Sequence, residues 1–194
     1  ETSSLKEIKK QITRERLDEK HFLSQYDVKY NPLKKFLTFS FDCPEPLMKV
    51  QIYKSNGLEY YTAILVDNGK LFDPTYEYIL ETEKKLKYKL PSLALPVGEI
   101  DKKIQMKITR MVKNMDIKFR NTISEIILDD NKRLTVILSN RGKPVSAFFG
   151  IDNWSLKAIK LKKIIGYLSK KRKTPTIINL TNDKKVVVKF SSRT

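Results

Sequence analysis

The sequence predicts an α+β fold, with helices packed on a mostly antiparallel sheet. Three observations predict it. Apolar residues recur at +3 and +4 over 99–115 and again over 154–168, which is the helical period. Elsewhere the apolar period is two, in short runs separated by Asn, Asp and Gly at turns. Hydrophobic residues make up 40% of the 194 residues, enough for a packed core and too many for a disordered chain.

Residues 3–25 read as helical, with Leu5, Ile8 and Ile12 on one face and lysines between them. Ser4 and Glu7 have capping-box spacing, and a second short helix is expected at Asp18–Leu23. Tyr26, Val28 and Tyr30 then alternate with polar residues, Asn31-Pro32 turns, and Phe36–Phe41 forms a second strand. Cys43-Pro44-Glu45-Pro46 breaks the ladder, because proline donates no backbone hydrogen bond. Met48–Tyr53 resumes as a third strand and Ser55-Asn56-Gly57 closes the unit, which reads as a helix followed by a three-stranded meander.

A second unit starts there. Tyr60–Val66 and Lys70–Phe72 flank the turn Asp67-Asn68-Gly69. Tyr76–Lys87 is ambiguous, and Leu90-Pro91 to Leu95-Pro96 is extended by proline restriction. Helix follows at 99–115 on the stripe Ile100, Ile104, Ile108, Met111 and Met115. Ile123–Leu128, Leu134–Leu138 and Val145–Phe149 are strands joined by polar turns. Asp152 or Asn153 caps a last helix whose stripe is Trp154, Ala158, Leu161, Ile165 and Leu168. Thr174-Pro175 leads into a closing hairpin turning at Asn182-Asp183.

Chemistry is sparse. The acidic residues Asp129, Asp130 and Asp152 sit at turns or caps, where their side chains bond local backbone. Six glycines are spread singly, so no phosphate-cradling loop is present. One cysteine (Cys43) and one histidine (His21) give no disulfide framework, no Cys/His metal site and no supported nucleophile–base pair. The expectation is a protein with no enzyme activity, no cofactor, no metal and no small-molecule substrate. No apolar run approaches the ~20 residues of a membrane span.

The net charge of +17 admits a second class, a nucleic-acid-binding module using the lysine-rich stretches 99–115 and 154–173. Against it, lysine greatly outnumbers arginine, the better side chain for bidentate phosphate and base contacts, and the lysines are scattered. The run Ser169-Lys-Lys-Arg-Lys173 follows a helix, where cations complement the dipole, and it could also meet phosphates or anionic lipid.

Binding is the better expectation, and the closing hairpin is where to look. A strand that ends a chain usually adds last to its sheet, and an edge strand carries unpaired N–H and C=O groups that accept a partner's strand. The candidate partner-binding residues are Asn182, Lys185, Val186, Val187, Val188, Lys189 and Phe190. Val186, Val188 and Phe190 share one face and Val187 and Lys189 the other. Proline at Val187 or Lys189 is expected to remove an edge donor.

The order of elements resembles the extracytoplasmic part of the bacterial cell-division protein family FtsQ/DivIB, a POTRA domain followed by a β-domain. The residues that carry it run from about 5 to 190. Val28-Lys-Tyr-Asn-Pro-Leu-Lys-Lys-Phe-Leu-Thr-Phe39 is similar to the POTRA run V-x-x-x-x-P-x-x-L-x-I, and Pro44 or Pro46 stands at that domain's E-x-x-P proline. Leu65-Val-Asp-Asn-Gly-Lys-Leu-Phe72, Leu90-Pro91, Phe148-Phe-Gly-Ile-Asp152, the helix Trp154–Leu168 and Ile178-Asn-Leu180 follow in family order. Asn179 stands where the family has Asp, Thr181-Asn182 where some members have Arg-Tyr, and Phe190 where those have Trp.

The resemblance implies a POTRA-like unit at 1–55, without its first strand and helix, and a β-domain at 56–192. It implies a non-enzymatic divisome scaffold in the periplasm, or on the extracytoplasmic face of the inner membrane, held by a single N-terminal anchor outside this sequence. Its β-domain would bind FtsB- and FtsL-type coiled-coil proteins by strand addition at Lys185–Phe190, and so regulate septal peptidoglycan synthesis. Another reading is a POTRA protein of outer-membrane assembly that binds unfolded strands.

Overall fold

Eleven strands and four helices form among the described residues of the computed structural model: 4–15, 25–42, 44–53, 59–72, 84, 89–95, 101–140 and 142–191. The first helix, α1 (Leu5–Arg14), starts at the expected capping box. Glu7 accepts from Ser4 N–H at 2.7 Å, and Ser4 Oγ accepts from Glu7 N–H at 3.2 Å. It is shorter than the apolar pattern suggested, and the expected helix at Asp18–Leu23 lies outside the described residues.

Strands β1 (Gln25–Asn31) and β2 (Phe36–Asp42) form an antiparallel hairpin of their own, with Val28 opposite Phe39. Asn31 Oδ1 accepts from the N–H groups of Leu33 and Lys34, which closes the turn. The expected three-stranded meander does not form. Strand β3 (Pro46–Tyr53) instead pairs antiparallel with β4 (Tyr60–Val66) and parallel with β6 (Ser92–Ala94). The reason is packing: Leu47, Met48 and Val50 are fully buried in the large core, which a two-stranded hairpin cannot supply.

The large sheet has nine strands in the order β11-β10-β9-β8-β7-β6-β3-β4-β5. Its remaining members are β5 (Leu71–Phe72), β7 (Ile123–Leu128), β8 (Leu134–Asn140), β9 (Lys143–Gly150), β10 (Ile177–Asn179) and β11 (Val187–Lys189). Most pairings are antiparallel, but β3–β6, β6–β7 and β9–β10 are parallel. Each parallel pair is bridged by an excursion containing helix or long connection, as a parallel crossover requires.

One face of this sheet is covered by α2 (Lys102–Lys113), α3 (Ile117–Arg120) and α4 (Trp154–Lys170). Ile108, Met111 and Val112 of α2 and Ala158 and Leu161 of α4 meet Val136, Leu138, Val145, Ala147 and Phe149 from the sheet. Strand alternation then sends Thr135, Ile137, Ser146 and Phe148 to the opposite face. Asp101 caps α2 by accepting from Lys103 N–H at 2.7 Å, and Asp116 caps α3 through Phe119 N–H at 3.1 Å. The short helix α3 was not expected from the sequence.

Candidate functional site

The closing hairpin is held in place by one buried lysine. Lys157 on α4 is 4% exposed, and its Nζ donates to Phe149 O at 2.9 Å and Asp152 Oδ1 at 2.6 Å. Asp183 Oδ1, in the hairpin turn, lies 3.6 Å from the same ammonium. Lys160 Nζ donates to Asp183 O at 3.0 Å, and Asn153 Nδ2 to Asp183 Oδ2 at 3.4 Å. Asn153 does occupy the position before α4, in the left-handed region, but its side chain makes no cap bond. That corrects the capping expectation: both Asp152 and Asn153 point their side chains at the clasp. Gly150, at φ +77°, allows the chain to leave β9 and enter this turn.

Within the hairpin, Asn179 Oδ1 accepts from Thr181 N–H at 2.9 Å and Thr181 Oγ1 at 2.7 Å. Only an acceptor oxygen is needed there, so Asn serves as well as Asp. Asn182 Oδ1 likewise accepts from Lys184 and Lys185 N–H, so this residue builds the turn that leads into β11.

Strand β11 terminates the sheet order and pairs with β10 alone among the described residues. Which of its amides face outward follows from β10. Ser146 N–H donates to Thr176 O at 3.0 Å and Leu180 N–H to Phe148 O at 2.8 Å across the parallel β9–β10 pair. Those bonds direct the amide groups of Ile178 to β9, so the groups of Ile177 and Asn179 face β11. Their register partners are Lys189 and Val187. The backbone of Val187 and Lys189 is therefore engaged inward, and Val188 turns its N–H and C=O to the open side. This reverses the expectation for proline at Val187 or Lys189, whose donors serve the internal ladder.

The side chains divide as expected. Val186 and Val188 pack against the core beneath the helices, whereas Val187 and Lys189 stand on the opposite face. Phe190 is 45% exposed, with Lys173 Nζ 5.9 Å from its ring centroid. Lys171 sits 4.7 Å over Tyr167, so two cations of the basic run at the end of α4 lie over aromatic rings.

Beside the hairpin, the sheet face opposite the helices holds a concavity of about 450 Å³ lined by Asp129, Arg133, Phe148, Asn179 and Thr181 among others. Phe148, Asn179 and Val187 stand in one register row across β9, β10 and β11. Arg133 Nε is fixed by Asp129 Oδ2 at 2.8 Å. Sequence reasoning missed Arg133 and Asp129 as neighbours of the hairpin, since 46 or more residues separate them from Asn179 and only the β8–β9–β10 pairings bring them near. Among the described residues no group of His, Cys, Asp and Glu could hold a metal ion.

The family described as "Cell division protein FtsQ/DivIB, C-terminal" matches residues 55–181. The matched span begins after β3 and ends just before Asn182, so β11 lies beyond it. No curated protein matches the chain. Among solved structures, the chain is similar to the major extracytoplasmic domain of the trans isomer of the bacterial cell division protein DivIB from Geobacillus stearothermophilus. The identity is 18% and the TM-score 0.38, over 66% of this chain and 95% of that chain.

Proposed function

The chain belongs to the FtsQ/DivIB family of cell-division proteins, and from that premise we propose that it is a non-enzymatic scaffold of the divisome that binds partners at the open side of β11. Its role lies in cell division. The observation that carries the binding reading is the outward-facing amide of Val188 on a strand with no outer neighbour among the described residues. A partner strand added there gains main-chain hydrogen bonds, and Phe190 offers an apolar ring beside it.

The partners we propose are FtsB- and FtsL-like proteins, through which the scaffold regulates septal peptidoglycan synthesis. The proposed location is the extracytoplasmic face of the inner membrane, with an N-terminal anchor. No described helix is long and apolar enough to cross a membrane. We further propose that the division between a POTRA-like unit and the β-domain falls at 43–45 rather than at 55, since β3 pairs with β4 and β6 and a boundary at 55 would separate it from both.

The test is calorimetry of the chain with the extracytoplasmic FtsB–FtsL segment of the same organism. Saturable binding that a folded Val188→Pro variant loses supports the reading. Binding unchanged in that variant, or no binding by the folded wild-type chain, overturns it.

A further inference from the structure

A second surface lies on the outer side of the helix layer, apart from the edge of β11, and does not rest on the edge-strand reading. Helices α2 and α4 run side by side. Between them lie two concavities, of about 430 and 230 Å³. The first is lined by Lys107 and Arg110 of α2 and by Ile151, Trp154 and Leu156. The second is lined by Met111, Met115, Phe119, Ala158 and Ile159, and Ser155 borders both, so they form one groove. It runs from Lys107 past the end of α2 to Met115 and along α4 from Trp154 to Lys162, about 12 Å at the helical rise.

Two features distinguish this groove from an ordinary surface. Its rim is apolar where α4 should be polar: Leu156 is 68% exposed and Ile159 54%, on the side of the helix opposite the buried Trp154, Ala158 and Leu161. Single exposed apolar residues are ordinary, but here Ile151 and Leu156 line one concavity and Ile159 the next along the same groove. The charge is also of one sign, because neither α2 nor α4 contains an acidic residue. The acids that border the groove are already engaged, Asp116 by Lys162 at 2.7 Å and Asp152 by Lys157. Of the basic residues that line it, Lys107 and Arg110 make no ion pair with any described residue.

We propose that this groove binds an acidic amphipathic helix of a partner protein. The walls are helices whose backbone groups are bonded internally, so they offer nothing to a strand, and the occupant must satisfy its own backbone as a helix does. An apolar stripe about two turns long fills the concavities between Met111, Met115 and Ile159, and carboxylates beside it meet Lys107 and Arg110 on the α2 side. A phosphate backbone has no use for the apolar floor, and a lipid surface has no use for the concavity.

The probe is a peptide of about 18 residues, long enough to hold helix, with leucines at helical spacing and glutamates on the other face. Amide shifts of the whole chain are followed by NMR, beside a peptide in which every glutamate is lysine and beside phosphatidylglycerol vesicles. The expected result is saturable shifts over 102–120 and 154–163 with the acidic peptide alone. The double variant Leu156→Ser and Ile159→Ser, both exposed and so compatible with folding, should weaken binding at least about tenfold. Lys107→Glu with Arg110→Glu should do the same, and Val188→Pro should leave it unchanged. The proposal falls if the acidic peptide gives no saturable shifts there, if the lysine peptide binds as well, or if vesicles shift the groove where the acidic peptide does not. It falls too if the serine variant binds like wild type, or if Val188→Pro abolishes probe binding in a folded chain.

Discussion

At the scale of single residues, Lys157 and Asp116 hold the helix layer to its surroundings. Lys157 is the buried side chain that ties α4, the end of β9 and the Asp183 turn together. Lys157→Met keeps the apolar stem and removes the ammonium, leaving Asp152 and Asp183 in water rather than buried and unpaired. Urea denaturation should show a loss of about 2 kcal/mol, the range for hydrogen bonds to a charged group; an unchanged midpoint would refute the clasp. The Asp116 carboxyl is held below the ordinary carboxylate range by its bond to Lys162, and further by Phe119 N–H. A depressed folded value means that its contribution is present above the ordinary range and is lost as pH falls through the lowered one. Carboxyl NMR should find Asp116 titrating below an ordinary aspartate and moving upward in Lys162→Met. A normal midpoint in the wild type would contradict the bridge.

At the scale of elements, the parity of β11 separates two neighbouring substitutions. Proline at Val187 deletes a donor that Asn179 of β10 uses, and should cost about 1–3 kcal/mol of stability. Proline at Val188 deletes only an outward donor, which edge strands tolerate. It should keep the hairpin with a small packing loss and lower partner affinity at least about tenfold, or 1.4 kcal/mol. Paired denaturation and calorimetry measure both. Equal destabilisation by the two prolines would show that the parity is wrong. The sequence made the two faces of this strand readable, because side-chain alternation is local. It left the direction of the amides open, because that depends on the bonds β10 makes to β9 on its other side.

At the scale of the molecule, α1, β1 and β2 share no strand pairing with the nine-stranded sheet. β1 lies instead against α1, and its Val28 is buried. Cutting the chain at 43–45 should therefore leave 46–191 melting cooperatively with its sheet intact. A fragment that unfolds would show that the hairpin is part of the main core. Truncation after Asp183 should also abolish binding to the FtsB–FtsL segment, with some loss of stability because Val186 and Val188 leave the core surface.

The sequence by itself determined the α+β class, nearly all the described strands, the two long helices with their buried stripes, and the closing hairpin. These are local: period, turn residues and caps act within a few positions. It also carried the family, through motifs kept in order along the chain. Only the tertiary structure decided that β3 leaves the first hairpin for the large sheet, and that β3, β6 and β7 run parallel. It alone set Val188 rather than Val187 facing outward, and laid α4 beside α2 so that a groove forms between them. Each of these turns on which distant strand or helix lies alongside, and burial of apolar surface decides that among partners which local pattern leaves equivalent.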